Sequence, residues 1–144
     1  MTSEAPDRKL MGLASIYEQV ARAIYRERGP FVLQPAQWPV LRYLDLAGET
    51  ARTASGIASF LGVELSTATR AAAALERRGF VSSRRNPDDR RVVFYELTDE
   101  GKTKLSEDPL QELALALGQV SQEDRSAFSR VVAHLADHLA QSKE

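Results

Sequence analysis

The segment "STATRAAAALERRGFVSSRRNPDDRRVVFYEL", residues 66–97, carries the pattern that decides the fold. Its first part is rich in alanine, a strong helix former, and it ends at Gly79, a common helix stop. After Gly79 the pattern alternates with a period of two, and "VVFYEL" is β-branched and aromatic, as strands are. The turn signal Asn86-Pro87-Asp88-Asp89 separates the two runs. The segment therefore predicts a helix followed directly by a β-hairpin.

A second, shorter helix is expected just before this segment. Thr53 is a suitable N-cap for it and Gly62 a suitable stop, although Gly56 inside it should cost roughly 1 kcal/mol relative to alanine. Ser66 is the predicted N-cap of the following helix. Two short helices joined by a turn of about three or four residues are typical of a helix-turn-helix. With the hairpin added, the pattern predicts a winged helix-turn-helix.

Two more helices are predicted on the N-terminal side. The first has a narrow, heptad-like apolar stripe and ends at Gly29-Pro30, and this stripe suits packing on another helix or on a second subunit. The next runs from Pro35, as its first residue, to Ala47, and Gly48 closes it. The stripe consists of Leu10, Leu13, Tyr17, Val20 and Ile24.

On the C-terminal side Thr98 caps a further helix, Pro109 bends or restarts it, and Ser121 opens a last one. The predicted fold class is therefore mainly α with a small β-hairpin. The last helix also has an apolar face, formed by Phe128, Val131, Leu135 and Leu139.

Composition excludes several classes of protein. The chain has 144 residues, 43% hydrophobic and 27% charged, which is typical of a single globular domain. It has no cysteine, so disulfides, thiolate metal sites and thiol-based redox sensing are excluded. No apolar run approaches the ~20 residues that span a bilayer, and "MTSEAPDRKL" is not a signal peptide, so we expect a cytoplasmic protein without membrane contact.

The net charge of -1 hides a concentrated basic block. Residues 70–91 contain seven arginines against Glu76, Asp88 and Asp89, a net charge of +4, whereas residues 92–144 carry -5 and residues 1–69 sum to zero. Such a block is the electrostatic signature of a surface that binds a polyanion.

The opening of the helix after Gly62 has the chemistry to contact DNA. Short hydroxyl side chains there can approach phosphates and read base edges, and arginine can bind guanine. Arg77 and Arg78, at the far end, suit the DNA backbone or the helix dipole. The alternative, for any one residue, is that the hydroxyls only cap the helix and the arginine is solvated. The candidate residues at the opening are Ser66, Thr67, Thr69 and Arg70.

The hairpin adds a second group of cations. Asp89 lies two residues before Arg91, a spacing at which the carboxylate can orient the guanidinium for insertion into a minor groove. Arg84, Arg85 and Arg90 would then contact phosphates. Alternatively the acids only favour the turn, and for Asp88 this interpretation is the better one.

Nothing in the sequence assembles an enzyme active site, and neither a metal nor a cofactor is expected. The adjacent Asp88 and Asp89 are surrounded by arginines, which neutralise them. His134 and His138 have a spacing that can bind zinc, but Asp137 points to another face and no third ligand is evident.

At this point the sequence resembles the MarR family of winged-helix transcription regulators. The resemblance is carried by "QPAQWPVLRYLDLAG" and "TASGIASFLGVELSTATRAAAALERRGFVSSRRNPDDRRVVFYELTDEGK", which together cover residues 34–102 almost continuously. Gly56 departs from the family pattern, which usually has a charged or helix-favouring residue there.

The resemblance implies one MarR-type domain over residues 1–144. Residues 30–101 would form the DNA-binding lobe, and residues 7–28 and 102–142 would interlock with those of a second copy in a homodimer. The dimer would repress transcription by binding the two half-sites of a pseudo-palindromic operator. Residues 66–70 would enter the major groove, and Arg91, steadied by Asp89, the minor groove.

Two questions stay open from the sequence. Members of the family that bind aromatic ligands do so between the dimer helices and the lobe, where Tyr17, Tyr25, Trp38 and Tyr43 could line a pocket that a small-molecule ligand uses to release the DNA. General burial habits favour plain core for these residues. The alternative function is a winged-helix interaction module whose basic surface docks an acidic protein partner.

Overall fold

The structure, a computed structural model, describes residues 5–142, which form two compact units. The chain passes from the first unit to the second between Asp108 and Pro109. The first unit contains α1 (Arg8–Ile24), α2 (Trp38–Leu46), α3 (Ala54–Leu61), α4 (Leu65–Arg77), β1 (Val81–Arg85), β2 (Val93–Leu97) and α5 (Asp99–Leu105). The second contains α6 (Leu110–Gly118) and α7 (Gln122–Gln141). The predicted winged helix-turn-helix, mainly α with one hairpin, is confirmed.

Side-chain caps set several helix starts where the sequence predicts them. The hydroxyl of Thr53 accepts a hydrogen bond from the Gly56 N–H at 3.1 Å and begins α3. Thr98 begins α5 and Ser121 begins α7 in the same way. Gly62 ends α3 with a left-handed backbone at φ 64°, a conformation in which glycine has no steric penalty.

Two predicted helix starts are wrong. α2 begins at Trp38 rather than Pro35, and Pro39 occupies its first turn, where a missing N–H costs little. α4 begins at Leu65 with Glu64 as the N-cap residue, so Ser66 is the second helical residue and not the cap. In each case burial of apolar residues fixes where the helix must lie, and a cap worth about 1 kcal/mol does not override it.

The hairpin is antiparallel and its register pairs Val81 with Leu97 and Arg85 with Val93. On its other edge β2 is joined to the residues before α3, because the Tyr95 N–H donates to the Arg52 carbonyl at 2.7 Å. The hairpin is thereby attached to the start of the helix-turn-helix and not only to its end.

The core of the first unit lies between α2, α3, α4 and the hairpin. Leu41, Leu44, Ile57 and Leu75 are almost completely inaccessible to solvent. The remaining members of this core are Leu33, Trp38, Val40, Ala58, Ala68, Ala72, Val81, Tyr95 and Leu97. The helix that the sequence suggests for DNA contact is therefore packed on one side.

The first and last helices bury none of their own residues in the described chain. Their apolar stripes are exposed to solvent, with Leu13 64% and Leu139 63% accessible. Between residues 5 and 142, no helix combines the length and the apolar character that crossing a membrane requires.

Gly56 has a packing reason to be glycine. The Tyr43 hydroxyl donates to the Ala51 carbonyl at 2.7 Å, directly against α3. A Cβ atom at position 56 would overlap both the Tyr43 hydroxyl and the Ala51 carbonyl oxygen. The glycine that seemed unfavourable for α3 is thus what allows the helix to approach Tyr43 closely.

We therefore expect Gly56→Ala to lower the free energy of unfolding by about 1–3 kcal/mol, because overpacking outweighs the gain in helix propensity. Urea denaturation measures this change. Gly48→Ala is the matched control, since position 48 has open space and an ordinary φ of -66°. A stable Gly56→Ala variant would contradict the packing account.

Candidate nucleic-acid interface

Helix α4 presents two faces of different chemistry. Ala68, Ala72 and Leu75 are buried against the core of the first unit. The small alanines let α4 pack closely, and they leave the opposite face in solvent. That outer face carries Ser66, Thr69, Arg70 and Arg77, and Thr67 is half-buried beside them.

The hydroxyl of Thr69 donates to the Leu65 carbonyl at 2.9 Å, which holds this short side chain against the helix. Ser66 has an exposed side chain and, as described above, is not used as the cap of α4. The first turns of α4 therefore offer short polar groups and one arginine, Arg70, beside the exposed Leu65.

The two faces of the hairpin divide the basic residues between them. Val81, Ser83 and Arg85 alternate with Ser82 and Arg84 along β1, so they lie on opposite faces. The Ser83 hydroxyl donates to the Glu76 carboxylate of α4 at 2.8 Å, which shows that the first face turns toward α4. Arg85 shares that face, and its guanidinium donates to the Arg90 carbonyl at 2.9 Å.

On the other face Arg84 lies over the Phe94 ring, with 4.9 Å between its guanidinium carbon and the ring centroid. This face borders a shallow groove lined also by Arg52, whose guanidinium pairs with Glu96 at 3.4 Å. From the sequence, Arg84 and Arg85 are both predicted to contact phosphates. In the structure they lie on opposite faces of the hairpin and have different neighbours.

The tip of the hairpin, residues 86–92, is closed by its own hydrogen bonds. The Asn86 N–H donates to the Val92 carbonyl at 2.9 Å, and the Val92 N–H donates to the Asp89 carbonyl at 3.0 Å. The Asn86 side chain accepts from the Asp88 N–H at 2.9 Å, a local turn contact. These bonds hold the loop in one shape, and they use the backbone of Asp88 but not its carboxylate.

Asp89 binds the Arg91 side chain in a bidentate manner. The Arg91 Nε donates to Asp89 Oδ1 at 3.1 Å and Nη2 donates to Oδ2 at 3.2 Å. The Arg91 backbone N–H donates to the same carboxylate at 3.1 Å. The Arg91 side chain nevertheless stays 90% exposed, so the carboxylate orients the guanidinium without covering it. Arg90, its neighbour, is also exposed.

This pair changes the acidity of the carboxyl group. The Arg91 side chain, followed by its backbone N–H, stabilises the ionised form and lowers the pKa of Asp89 below its ordinary value. Asp89 is therefore ionised, and able to hold Arg91, over the whole neutral pH range.

Two contacts near α4 escape prediction from the sequence. Glu76 and Ser83 link α4 to the hairpin, and no local pattern marks them as partners. Arg78, which the sequence offers for the DNA backbone or the helix dipole, instead donates to the Phe31 carbonyl at 2.6 Å. Its charge is committed to the segment between α1 and α2.

The four aromatic ligand candidates have separate environments. Trp38 is buried in the core, and Tyr17 is exposed on α1. The Tyr25 hydroxyl accepts from the Arg42 guanidinium at 3.3 Å. The Tyr43 ring packs against Phe60, with 5.1 Å between the centroids. In the described part of the chain, no group of three or more histidine and carboxylate side chains is arranged to hold a metal, His134 and His138 included.

This arrangement of a helix-turn-helix followed by a hairpin has counterparts among known proteins. The sequence profile of the MarR family matches residues 33–93. Residues 33–93 of the chain are therefore of the MarR type. The similarity supports a DNA-binding transcriptional regulator, and the members of this family are in general not enzymes.

Individual proteins are similar to the chain over most of its length. The HTH-type transcriptional regulator YhbI of Bacillus subtilis is 28% identical over 128 residues, 83% of this chain and 81% of that protein. The transcriptional repressor CouR, solved on a 23-mer DNA duplex, has a TM-score of 0.70 and 26% identity, covering 93% of this chain and 99% of its own. PcaV of Streptomyces coelicolor, solved with its natural ligand, has a TM-score of 0.71, 22% identity and coverage of 93% and 97%.

The lowered pKa of Asp89 can be tested directly. Because the folded-state pKa is depressed, the pair with Arg91 is complete above the ordinary carboxyl pKa and is lost as the pH falls through the lowered value. We expect Arg91→Gln to raise the pKa of Asp89 toward its ordinary value in an NMR-monitored acid titration. Arg90→Gln removes the same charge from the neighbouring position and serves as the control. An Asp89 titration that is identical in wild type and Arg91→Gln would disprove the pairing.

Proposed function

We propose that this MarR regulator is a homodimeric repressor that binds a pseudo-palindromic operator. The observation that carries the proposal is the Asp89-held Arg91, exposed and bidentately oriented in the same compact unit as the polar face of α4. In the proposed complex residues 66–70 of α4 contact base edges and phosphates in the major groove, and Arg91 enters the adjacent minor groove. As a DNA-binding regulator it would act in the cytoplasm, and it would catalyse no reaction.

The two hairpin faces refine the roles proposed for the other cations. Arg85 shares the face that turns toward α4, and Arg90 lies beside Arg91, so we assign both to the phosphates between the two grooves. Arg77 would contact the backbone from the last turn of α4. Arg84, stacked on Phe94 on the opposite face, would contribute mainly through the long-range potential.

The exposed apolar stripes support the homodimer. Leu10, Leu13 and Val20 on α1, and separately Val131 and Leu139 on α7, are accessible in the single chain, and exposed apolar stripes of this kind are typical of interfaces. Pairing with a second copy would cover the same stripes on both partners, as closed two-fold symmetry requires. We propose residues 7–28 and 102–142 as the dimerisation region and residues 30–101 as the DNA-binding lobe, within one domain over residues 1–144.

Release by a small aromatic ligand is part of the same proposal. PcaV, which shares this fold, was solved with its natural ligand. Of the four aromatic candidates, Tyr17 and Tyr25 lie on or directly after α1 with accessible surface, so they are the residues we assign to ligand contact. Trp38 and Tyr43 would contact the ligand from the side that faces the core of the first unit.

The proposal is tested by selecting bound fragments from the source genome with the purified protein. Repression requires a saturable preference for particular duplexes over nonspecific competitor DNA, with two related half-sites in each. An absence of any such preference, together with binding to acidic proteins, would favour the alternative of a protein-interaction module.

Asp89 and Asp88 provide a matched pair of substitutions. Each Asp→Asn change removes one negative charge, which by itself favours DNA binding. Asp89→Asn also frees Arg91, so we expect it to weaken operator binding by about 1 kcal/mol, roughly fivefold. Asp88→Asn should leave affinity unchanged or raise it. Fluorescence anisotropy with the selected operator measures both, and equal effects would contradict the role of Asp89.

Arg70 should contribute a phosphate or base contact from the outer face of α4. We expect Arg70→Ala to weaken operator binding and, if the contact is to phosphate, to reduce the slope of log K against log salt by about one. The control is Arg125→Ala, which removes a charge from the first turn of α7. Binding by Arg70→Ala equal to that of wild type at moderate salt would remove Arg70 from the interface.

The proposed dimer can be dissociated through its stripes. A glutamate at position 13 or 135 would bury a charge in the interface, so we expect Leu13→Glu and Leu135→Glu to sediment as monomers at micromolar concentration. Leu46→Glu is the control, because Leu46 is 81% exposed but lies on α2, outside both stripes. A wild-type monomer at this concentration would refute the dimer.

A further inference from the structure

Two arginines of the lobe hold the segment that leads out of α1. Arg42 on α2 binds Asp108 through Nε at 2.6 Å and Nη2 at 2.7 Å, and the same guanidinium donates to the Tyr25 hydroxyl at 3.3 Å from both terminal nitrogens. Tyr25 directly follows α1, and Asp108 is the last residue of the first unit. One side chain thus joins the end of α1, the middle of α2 and the residue after which the chain leaves the unit.

The contact of Arg42 with Asp108 differs in kind from the surface ion pairs of the chain. The side chains of Arg42 and Asp108 are only 20% and 12% exposed. Burial alone would lower the pKa of Arg42, but the hydrogen bonds to Asp108 and Tyr25 outweigh it, and the pKa lies above its ordinary value. A largely buried bidentate pair holds its partners in one geometry, and removal of either partner is costly.

Arg78 makes the second attachment. It is the C-cap residue of α4, and its Nη2 donates to the Phe31 carbonyl at 2.6 Å while Nη1 reaches the Val32 carbonyl at 3.4 Å. Its guanidinium also lies 5.4 Å from the centroid of the Phe80 ring. The segment between α1 and α2 is therefore tied to the end of the helix that contacts DNA.

These attachments matter because α1 has little else to hold it. None of its residues is buried in the described chain, so within one protomer its direction is set mainly by how its C-terminal end is fixed. Arg42 fixes Tyr25, and Arg78 fixes the backbone six and seven residues further on, at Phe31 and Val32. Two separate attachments prevent the segment from pivoting about either one.

We infer that Arg42 and Arg78 are positioning residues that fix α4 relative to α1 and thereby select the spacing of the operator half-sites. The functional part rests on the proposed homodimer, in which α1 contributes to the interface. If α1 of one protomer is fixed to α1 of its partner, and α4 is fixed to α1 within each protomer, the two copies of α4 are held at a set separation. Inserting one base pair between half-sites changes their separation by about 3.4 Å and rotates one relative to the other by about a tenth of a turn, which a rigid connection would reject.

The geometric part is tested within one protomer. The chain contains no cysteine, so Ser15→Cys on α1 and Ser66→Cys on α4, both exposed, accept a pair of nitroxide labels without side reactions. Labelled protein is diluted with an excess of unlabelled protein, and the distance is measured by pulsed electron resonance. We expect a single narrow distance in wild type and a shifted or broadened distribution in Arg42→Gln, Asp108→Asn and Arg78→Gln.

Arg28→Gln is the matched control for these variants. Arg28 lies in the same segment, but its hydrogen bonds to the Tyr25 and Glu27 carbonyls are local. Circular dichroism confirms that each variant is folded, and if Arg42→Gln unfolds, Arg42→Lys keeps the charge and removes the bidentate geometry. A distance distribution that is the same in wild type, the control and the folded variants would overturn the inference.

The functional part is tested with duplexes selected by the wild-type protein, and with versions carrying one base pair inserted or removed between the half-sites. We expect wild type and Arg28→Gln to prefer the native spacing about tenfold or more, comparable to the effect of a mismatched base pair. In Arg42→Gln and Arg78→Gln the preference should fall to about threefold or less. Altered distances with an undiminished preference would overturn the role in spacing, whereas a wild type that selects no duplex would refute the proposed function and leave the distance test valid.

Discussion

The close packing of the alanine face of α4 is the constraint on which the other features of this regulator depend. Ala68 and Ala72 allow the helix backbone to approach the core, and this burial determines which residues remain outside. Ser66, Thr69 and Arg70 are exposed because they lie opposite the alanines. The hairpin follows α4 after a single turn at Gly79, so its position is set by the same packing.

Much of the fold could be predicted because its signals are local. Thr53, Thr98 and Ser121 cap helices through a residue only three positions away, and Gly62 stops one through its own φ angle. The first residues of α2 and α4 were harder to predict from the sequence, because the burial of Trp38 and Ala68 depends on residues far along the chain. Each local preference there is worth only about 1 kcal/mol, less than the burial that opposes it.

In the candidate site too, contacts between residues that are close in sequence could be predicted, and contacts between distant residues could not. The spacing of Asp89 and Arg91 was sufficient to predict their pairing, which the structure contains in bidentate form. The hydrogen-bond partners of Arg78 and Arg42 lie 17 to 66 residues away in sequence, so no spacing rule indicates them. Of the arginines considered for DNA contact, the structure commits Arg78 to intramolecular contacts and gives Arg84 an aromatic neighbour. Composition alone could not separate these roles.

The closed tip of the hairpin also has a kinetic consequence. An arginine whose rotamers are already restricted by Asp89 gives up little further freedom when it docks, so less of its binding energy is spent on ordering the side chain. Diffusional arrival depends mostly on the overall basic potential and changes little with such preorganisation. The benefit of the restricted arginine should therefore appear as a longer residence time on the duplex.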